Sequence, residues 1–154
     1  MLKKDQAADD PVKRLAEYWF RAKLMHELLH YLCEEYDDDL DKLDADGHAW
    51  GFTTYLSFWL SGLFVVVEGF NKLKLKDLRL QKLFKENLGL LKEMRHDTFH
   101  FSIKVRGQDV IRQLNWAEEL HAAIGQHLRE YFERKAHVES ILEIRAKARK
   151  KSGA

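Results

Sequence analysis

Along most of this chain apolar side chains recur every three or four positions, the period of one face of an α-helix. Leu15, Trp19, Leu24, Leu28 and Leu32 set the pattern first. Asp10-Pro11 precedes them, a capping side chain followed by proline at the first helical position, so a first helix is expected over roughly 10–36. Asp37 to Gly47 breaks the period: six of its residues are aspartates and it ends Asp-Gly, which predicts a solvated loop. Ala49 to Val67 then has no charged side chain at all. A run of that length is long enough for a membrane span. Its polar residues (Gly51, Thr53, Thr54, Ser57, Ser61 and Gly62) and the acids preceding it argue against one. A helix enclosed by other helices is also apolar all round, so a buried central helix over roughly 51–72, without a membrane, is the expectation.

Lys72 to Lys76 is a basic connector. Asp77 suits the cap of a short helix at 78–86, with Leu80, Leu83 and Phe84 inward, and Asn87 and Gly89 interrupt the pattern. Leu88, Leu90, Leu91 and Met94 begin a further helix, expected to reach about 103. Ile103, Val105 and Arg106-Gly107 mark its exit, and a short segment follows at 108–114. Asn115 and Glu118 form a capping-box pattern, in which the acid reaches back to the cap amide. The last helix is expected over roughly 116–149. Trp116, Leu120, Ile124, Leu128 and Phe132 stripe its first half. Val138, Ile141, Leu142 and Ile144 cover the second half thinly, so that end projects from the body or meets a partner chain. No segment reads as a strand and no repeat is visible. The fold class predicted is an all-α bundle of four main helices with one or two short ones.

Composition agrees. One proline and eight glycines in 154 residues leave few breaks for a many-turned fold. The hydrophobic share of 45% and charged share of 33% are those of a globular chain. A single domain over 1–154 is expected, with a flexible 1–9 and a basic tail at 145–154. Cys33 has no second cysteine to pair with, and the N-terminus has no apolar leader, which together point to the cytoplasm. Net charge is +1, so total charge does not advertise nucleic acid. Glu34 to Asp46 is acidic and Arg145 to Lys151 basic, the latter a solvated helix end or a contact for an anionic partner.

Three stretches invite chemistry. With Gly47 at the sixth position of a calcium loop, Lys42 and Thr53 would occupy the first and twelfth, where acidic oxygen ligands belong, so calcium is rejected. His26-Glu27-Leu28-Leu29-His30 matches the zinc-protease helix pattern, with two histidines on one face, but no well-spaced third ligand follows. Half-exposed boundary histidines are the plainer expectation.

The third is Met94-Arg95-His96-Asp97-Thr98-Phe99-His100-Phe101, a charged cluster set among apolar residues. Histidine passes protons near neutral pH, and arginine clamps phosphoryl oxygens while staying charged. The pair suits cleavage of a phosphodiester by its neighbouring 2′-hydroxyl, without metal. Residues five apart project about 140° apart on a straight helix, so Arg95 and His100 do not share a face and a second chain would have to complete the site. Two other readings stay open: a metal held by His96 and His100 with Asp97 or Glu93, and a buried network of Arg95, Asp97 and Glu68 that ties helices together.

Arg95-His96-Asp97-Thr98-Phe99-His100 resembles the R-x(4–6)-H motif of the HEPN superfamily (higher eukaryotes and prokaryotes nucleotide-binding domains). The helix order is similar over roughly 10–135. Trp59 to Gly69, Arg95 to Phe101 and Trp116 to His121 look like an uncharacterised bacterial HEPN-like group. The resemblance implies a metal-independent endoribonuclease of the toxin–antitoxin or phage-defence kind. It would be a homodimer acting on RNA, held in check by an antitoxin protein, with no cofactor. By carry-over Arg95 and His100 take the motif's two positions and His96 the polar one after the arginine, where many members have asparagine. Glu68 loosely matches an acidic residue of the second helix, and Asp97 supports. Other members of the superfamily only bind nucleotides or proteins.

Overall fold

The computed structural model describes residues 10–37, 39–100 and 114–152, with no statement about the side chains of residue 40 and of 148–152. The described residues form five helices and no strand: α1 Pro11–Glu35, α2 Leu40–Ala45, α3 Ala49–Lys72, α4 Leu78–Phe99 and α5 Asn115–Ser152. The fold is an all-α bundle of four long helices and one short one.

The start of α1 follows the sequence. The Asp10 carboxylate accepts from the Val12 amide at 3.0 Å, and Pro11 fills a position whose N–H would have no partner. The same carboxylate is gripped from α5 by Lys135 at 2.6 Å. That hydrogen bond is the main cause holding the Asp10 carboxyl below its ordinary range. The inward face of α1 is rotated from expectation. Val12, Leu15, Ala22, Leu29 and Leu32 are buried and Trp19 half-buried, whereas Leu24 and Leu28 are exposed. The stripe that faces the core runs through 15, 19, 22, 26 and 29, and Leu24 and Leu28 fall on the far side of it. His26 therefore occupies a core-facing position.

The acidic segment is not simply a loop. Asp39 accepts from the Lys42 amide at 3.0 Å and starts α2, which plants a buried Leu43 in the core. Gly47, at φ +78°, closes it: its amide reaches Asp44 O and the His48 amide reaches Leu43 O, each at 2.9 Å. This paired closure needs a left-handed residue, which glycine supplies without strain.

α3 is the central helix, packed on α1 along one side and α4 along another. It buries ten residues, including Trp59, Leu60, Leu63, Val66 and Val67 at zero exposure. It alone among the described helices is long and apolar enough to span a membrane, by length and composition. Gly62 lets α1 come close, since a Cβ there would lie 2.9 Å from Ala22 Cβ and 3.3 Å from its Cα.

The break expected at Asn87 and Gly89 does not occur, and 78–86 is the first part of one helix. Leu80, Leu83, Phe84, Asn87 and Leu91 share its buried face, and Asn87 Nδ2 donates to Leu83 O at 2.9 Å. Packing on α3 outweighs the weak helix preference of asparagine and glycine. α4 ends at Phe99 rather than near 103. The exit at 103–107 and the segment expected at 108–114 lie outside the described residues, apart from Leu114.

α5 begins at Asn115, with Leu114 O accepting from the Ala117 and Glu118 amides. Ala117, Leu120, His121, Ala123, Ile124, His127 and Leu128 are buried, and 133–147 are exposed. The thin stripe of the second half is thus exposed within the single chain, as expected of an end that projects or meets a partner chain. Low down, His127 Nδ1 meets Asp77 Oδ2 at 2.8 Å while the Asp77 side chain also caps α4 by accepting from Leu80 N.

Candidate functional site

The motif lies at the C-terminal end of α4, where that helix crosses α3. Thr98 anchors the crossing. Its hydroxyl donates to Met94 O at 2.7 Å and accepts from Ser61 Oγ of α3 at 3.0 Å. Phe99 meets Phe58 of α3 edge-on, with centroids 5.8 Å apart. Around this anchor the chemical residues face outward: Arg95, His96 and His100 are all exposed, and Asp97 is half-buried.

His100 leaves the helix in an extended conformation (φ −128°, ψ 141°), and its ring stacks on that of His96 with centroids 4.7 Å apart and planes 29° from parallel. Arg95 turns the other way and lays its guanidinium over the Phe64 ring, 5.2 Å from the centroid. Glu68, one turn along α3 from Phe64, is half-buried in a groove that Arg14, Tyr18 and Lys72 also line. Within one chain the two histidines are thus brought together and Arg95 is held by a ring. Arg95 lies exposed over the Phe64 ring rather than buried.

Beside the motif runs an open groove of about 370 Å³, lined by Tyr18, Met25, Phe58, Val65 and Phe99 among others. Tyr18, Phe58 and Phe99 are 39%, 46% and 57% exposed. Singly such residues are ordinary, but a contiguous aromatic strip is a usual mark of an interaction surface.

A second constellation sits where α1 meets α5. His26 Nε2 lies 2.6 Å from Glu118 Oε2 and 3.1 Å from His30 Nε2, which lies 3.2 Å from Glu118 Oε1. Glu118 does not reach back to cap its own helix, as its spacing from Asn115 predicted, but turns across to α1. His26 is held in place from two sides: His121 stacks on it at 4.5 Å and 21°, and Trp59 is 4.5 Å away. Trp59 Nε1 donates to His121 Nδ1 at 3.2 Å. Burial, the largest cause, together with the neighbouring His26 pushes the His121 imidazole down to about 4, so it is neutral at pH 7. Accepting at Nδ1, it carries its proton on Nε2.

Glu27, the acid of the His26–His30 pattern, points elsewhere. It is exposed and ion-paired with Lys23 one turn back, which is the first cause of its lowered carboxyl pKa. Glu118 was read from the sequence only as a cap, and Trp59 and His121 only as part of the resembling segments; none was picked out as a site residue. The available signal was the presence of polar residues on apolar stripes: His26 on α1, and Glu118 with His121 three residues apart on α5. Their convergence, across 92 residues of chain between His26 and Glu118, was not readable.

Comparison with known proteins finds no matching family model, no matching curated protein and no matching solved structure.

Proposed function

We propose that the protein is a metal-independent endoribonuclease of the HEPN kind, acting in the cytoplasm as a homodimer whose two α4 ends face one cleft. The observation that carries the reading is the exposure of Arg95, His96 and His100 together at a helix end beside the aromatic groove. Groups that serve only to hold helices together are usually buried and paired; these face solvent. In the reaction His100 takes the proton from the ribose 2′-oxygen as that oxygen attacks the adjacent phosphorus, and a proton returns to the departing 5′-oxygen. Arg95 lifts from Phe64 and neutralises charge on the phosphoryl oxygens. His96, stacked on His100, fixes its ring. The products are a 2′,3′-cyclic phosphate and a 5′-hydroxyl. The dimer answers the divergence of Arg95 and His100 on one helix: each cleft takes residues from both copies. Activity of this kind needs restraint, and a cognate antitoxin protein is the partner expected.

Incubating purified protein with a labelled single-stranded RNA tests this. Wild type should give 5′-hydroxyl products, and His100→Ala and Arg95→Ala should not. Phe58→Asp and Phe99→Asp should shift sedimentation from dimer to monomer and remove cleavage with it. Intact RNA with wild type, or equal cutting by His100→Ala, overturns the reading.

One observation favours a second reading, a non-catalytic module that binds nucleotides or proteins: the guanidinium of Arg95 already has a partner in the Phe64 ring. In that case RNA or nucleotide would bind and remain uncut.

A further inference from the structure

We propose that His26, His30 and Glu118 bind a divalent first-row transition metal, zinc foremost, at the seam of α1 and α5. The site uses none of the residues of the ribonuclease reading and stands or falls separately.

The donor set comes first. Two imidazole nitrogens and a carboxylate suit zinc and its neighbours, while calcium and magnesium prefer all-oxygen shells. Three protein ligands leave a fourth position for water.

Spacing is the second argument. Bonds of about 2.0–2.1 Å in tetrahedral array put ligand atoms roughly 3.3 Å apart. The two Nε2 atoms are 3.1 Å apart, and His30 Nε2 is 3.2 Å from Oε1. The shortest edge, His26 Nε2 to Oε2 at 2.6 Å, opens by rotation of one carboxylate. Two imidazoles bring the same atom, Nε2, to one point, and each finds a different oxygen of Glu118 there.

Preorganisation is the third. His26 is clasped between His121 and Trp59, and His121 is fixed by the Trp59 hydrogen bond. Rings locked by outer partners raise affinity. Access is the fourth. The His26 side chain is 16% exposed, but those of Glu118 and His30 are 40% and 52% exposed, so the site opens to solvent on the His30 side.

The structure also limits the chemistry. A zinc protease needs its glutamate beside the metal-bound water, and Glu27 is turned to Lys23 instead. The site is thus a metal clip joining α1 to α5 without the proteolytic acid.

The test uses the full chain, stripped with EDTA and dialysed. Titrated cobalt(II) should give one equivalent of tetrahedral visible absorption, which zinc(II) displaces, and zinc should raise the melting temperature. His30→Ala and Glu118→Gln should each weaken zinc binding by about a hundredfold or more, beyond the 10–100-fold typical of outer-shell changes. Both residues are part-exposed, so both variants should keep the wild-type helical circular dichroism. Glu27→Gln and the double variant His96→Ala/His100→Ala should bind as wild type does. Failure of wild type to bind, undiminished binding by Glu118→Gln, or loss of binding only in the His96/His100 variant overturns the proposal.

Discussion

The two histidine-bearing regions are built on opposite principles. At the end of α4 the residues are neighbours in sequence, exposed, and linked by one ring stack. At the α1–α5 seam they come from two helices, meet at hydrogen-bond distance, and are backed by fully buried Trp59 of a third. The first arrangement is local and open to a large substrate. The second is assembled by folding, from residues far apart in the chain. Exposure makes the α4 end a place where substitution has little effect on the fold. Burial of Trp59 and His121 behind the seam makes those two positions ones where substitution changes the fold first.

The largest effect should come from the seam. Trp59→Ala removes a side chain with zero exposure together with the donor to His121. We expect a loss of about 3–5 kcal/mol in urea unfolding. A loss below about 1 kcal/mol would mean that the seam is not a packed part of the core.

Next is acid. The folded pKa of His121, about 4, lies below its ordinary 6.5. As pH falls the unfolded chain takes up this proton first, so stability is complete above about 6.5 and erodes down to about 4, by up to roughly 3 kcal/mol. Unfolding of wild type and His121→Phe at pH 7 and pH 5 measures it. The variant should lose less on acidification, and equal losses would assign the acid sensitivity to other groups.

The smallest effect on stability should come from the motif. Arg95→Ala forfeits an exposed cation–π contact worth about 0.5–1 kcal/mol, yet should lower RNA cleavage by about 10² or more. If that substitution costs several kcal/mol in thermal unfolding, Arg95 is a structural residue and the contrast between the regions collapses.

How far the sequence carried the reading follows from the same contrast. The long helices were legible because their apolar periods are strong, and the α1 start because Asp10-Pro11 is a local signal. The division at Asn87 and Gly89 failed because the pull of α3 on Leu83, Phe84 and Leu91 is invisible to local preference. α2 was hidden in its aspartates, although Asp39 and Gly47 are its two ends. The residues of the α4 cluster could be named from the sequence because they are contiguous, but the stacking of His96 on His100 and the turn of Arg95 to Phe64 could not. The seam was legible only in its His26–His30 half. Glu118 follows the chain by 88 residues from His30, and its local pattern pointed to a cap.

The most direct measurement is RNA cleavage in excess EDTA by wild type, His100→Ala and His30→Ala, side by side. Wild type and His30→Ala should cut at equal rates and His100→Ala should leave the RNA intact. Cleavage that stops in EDTA, or that survives the loss of His100, would contradict a metal-independent active site at the end of α4.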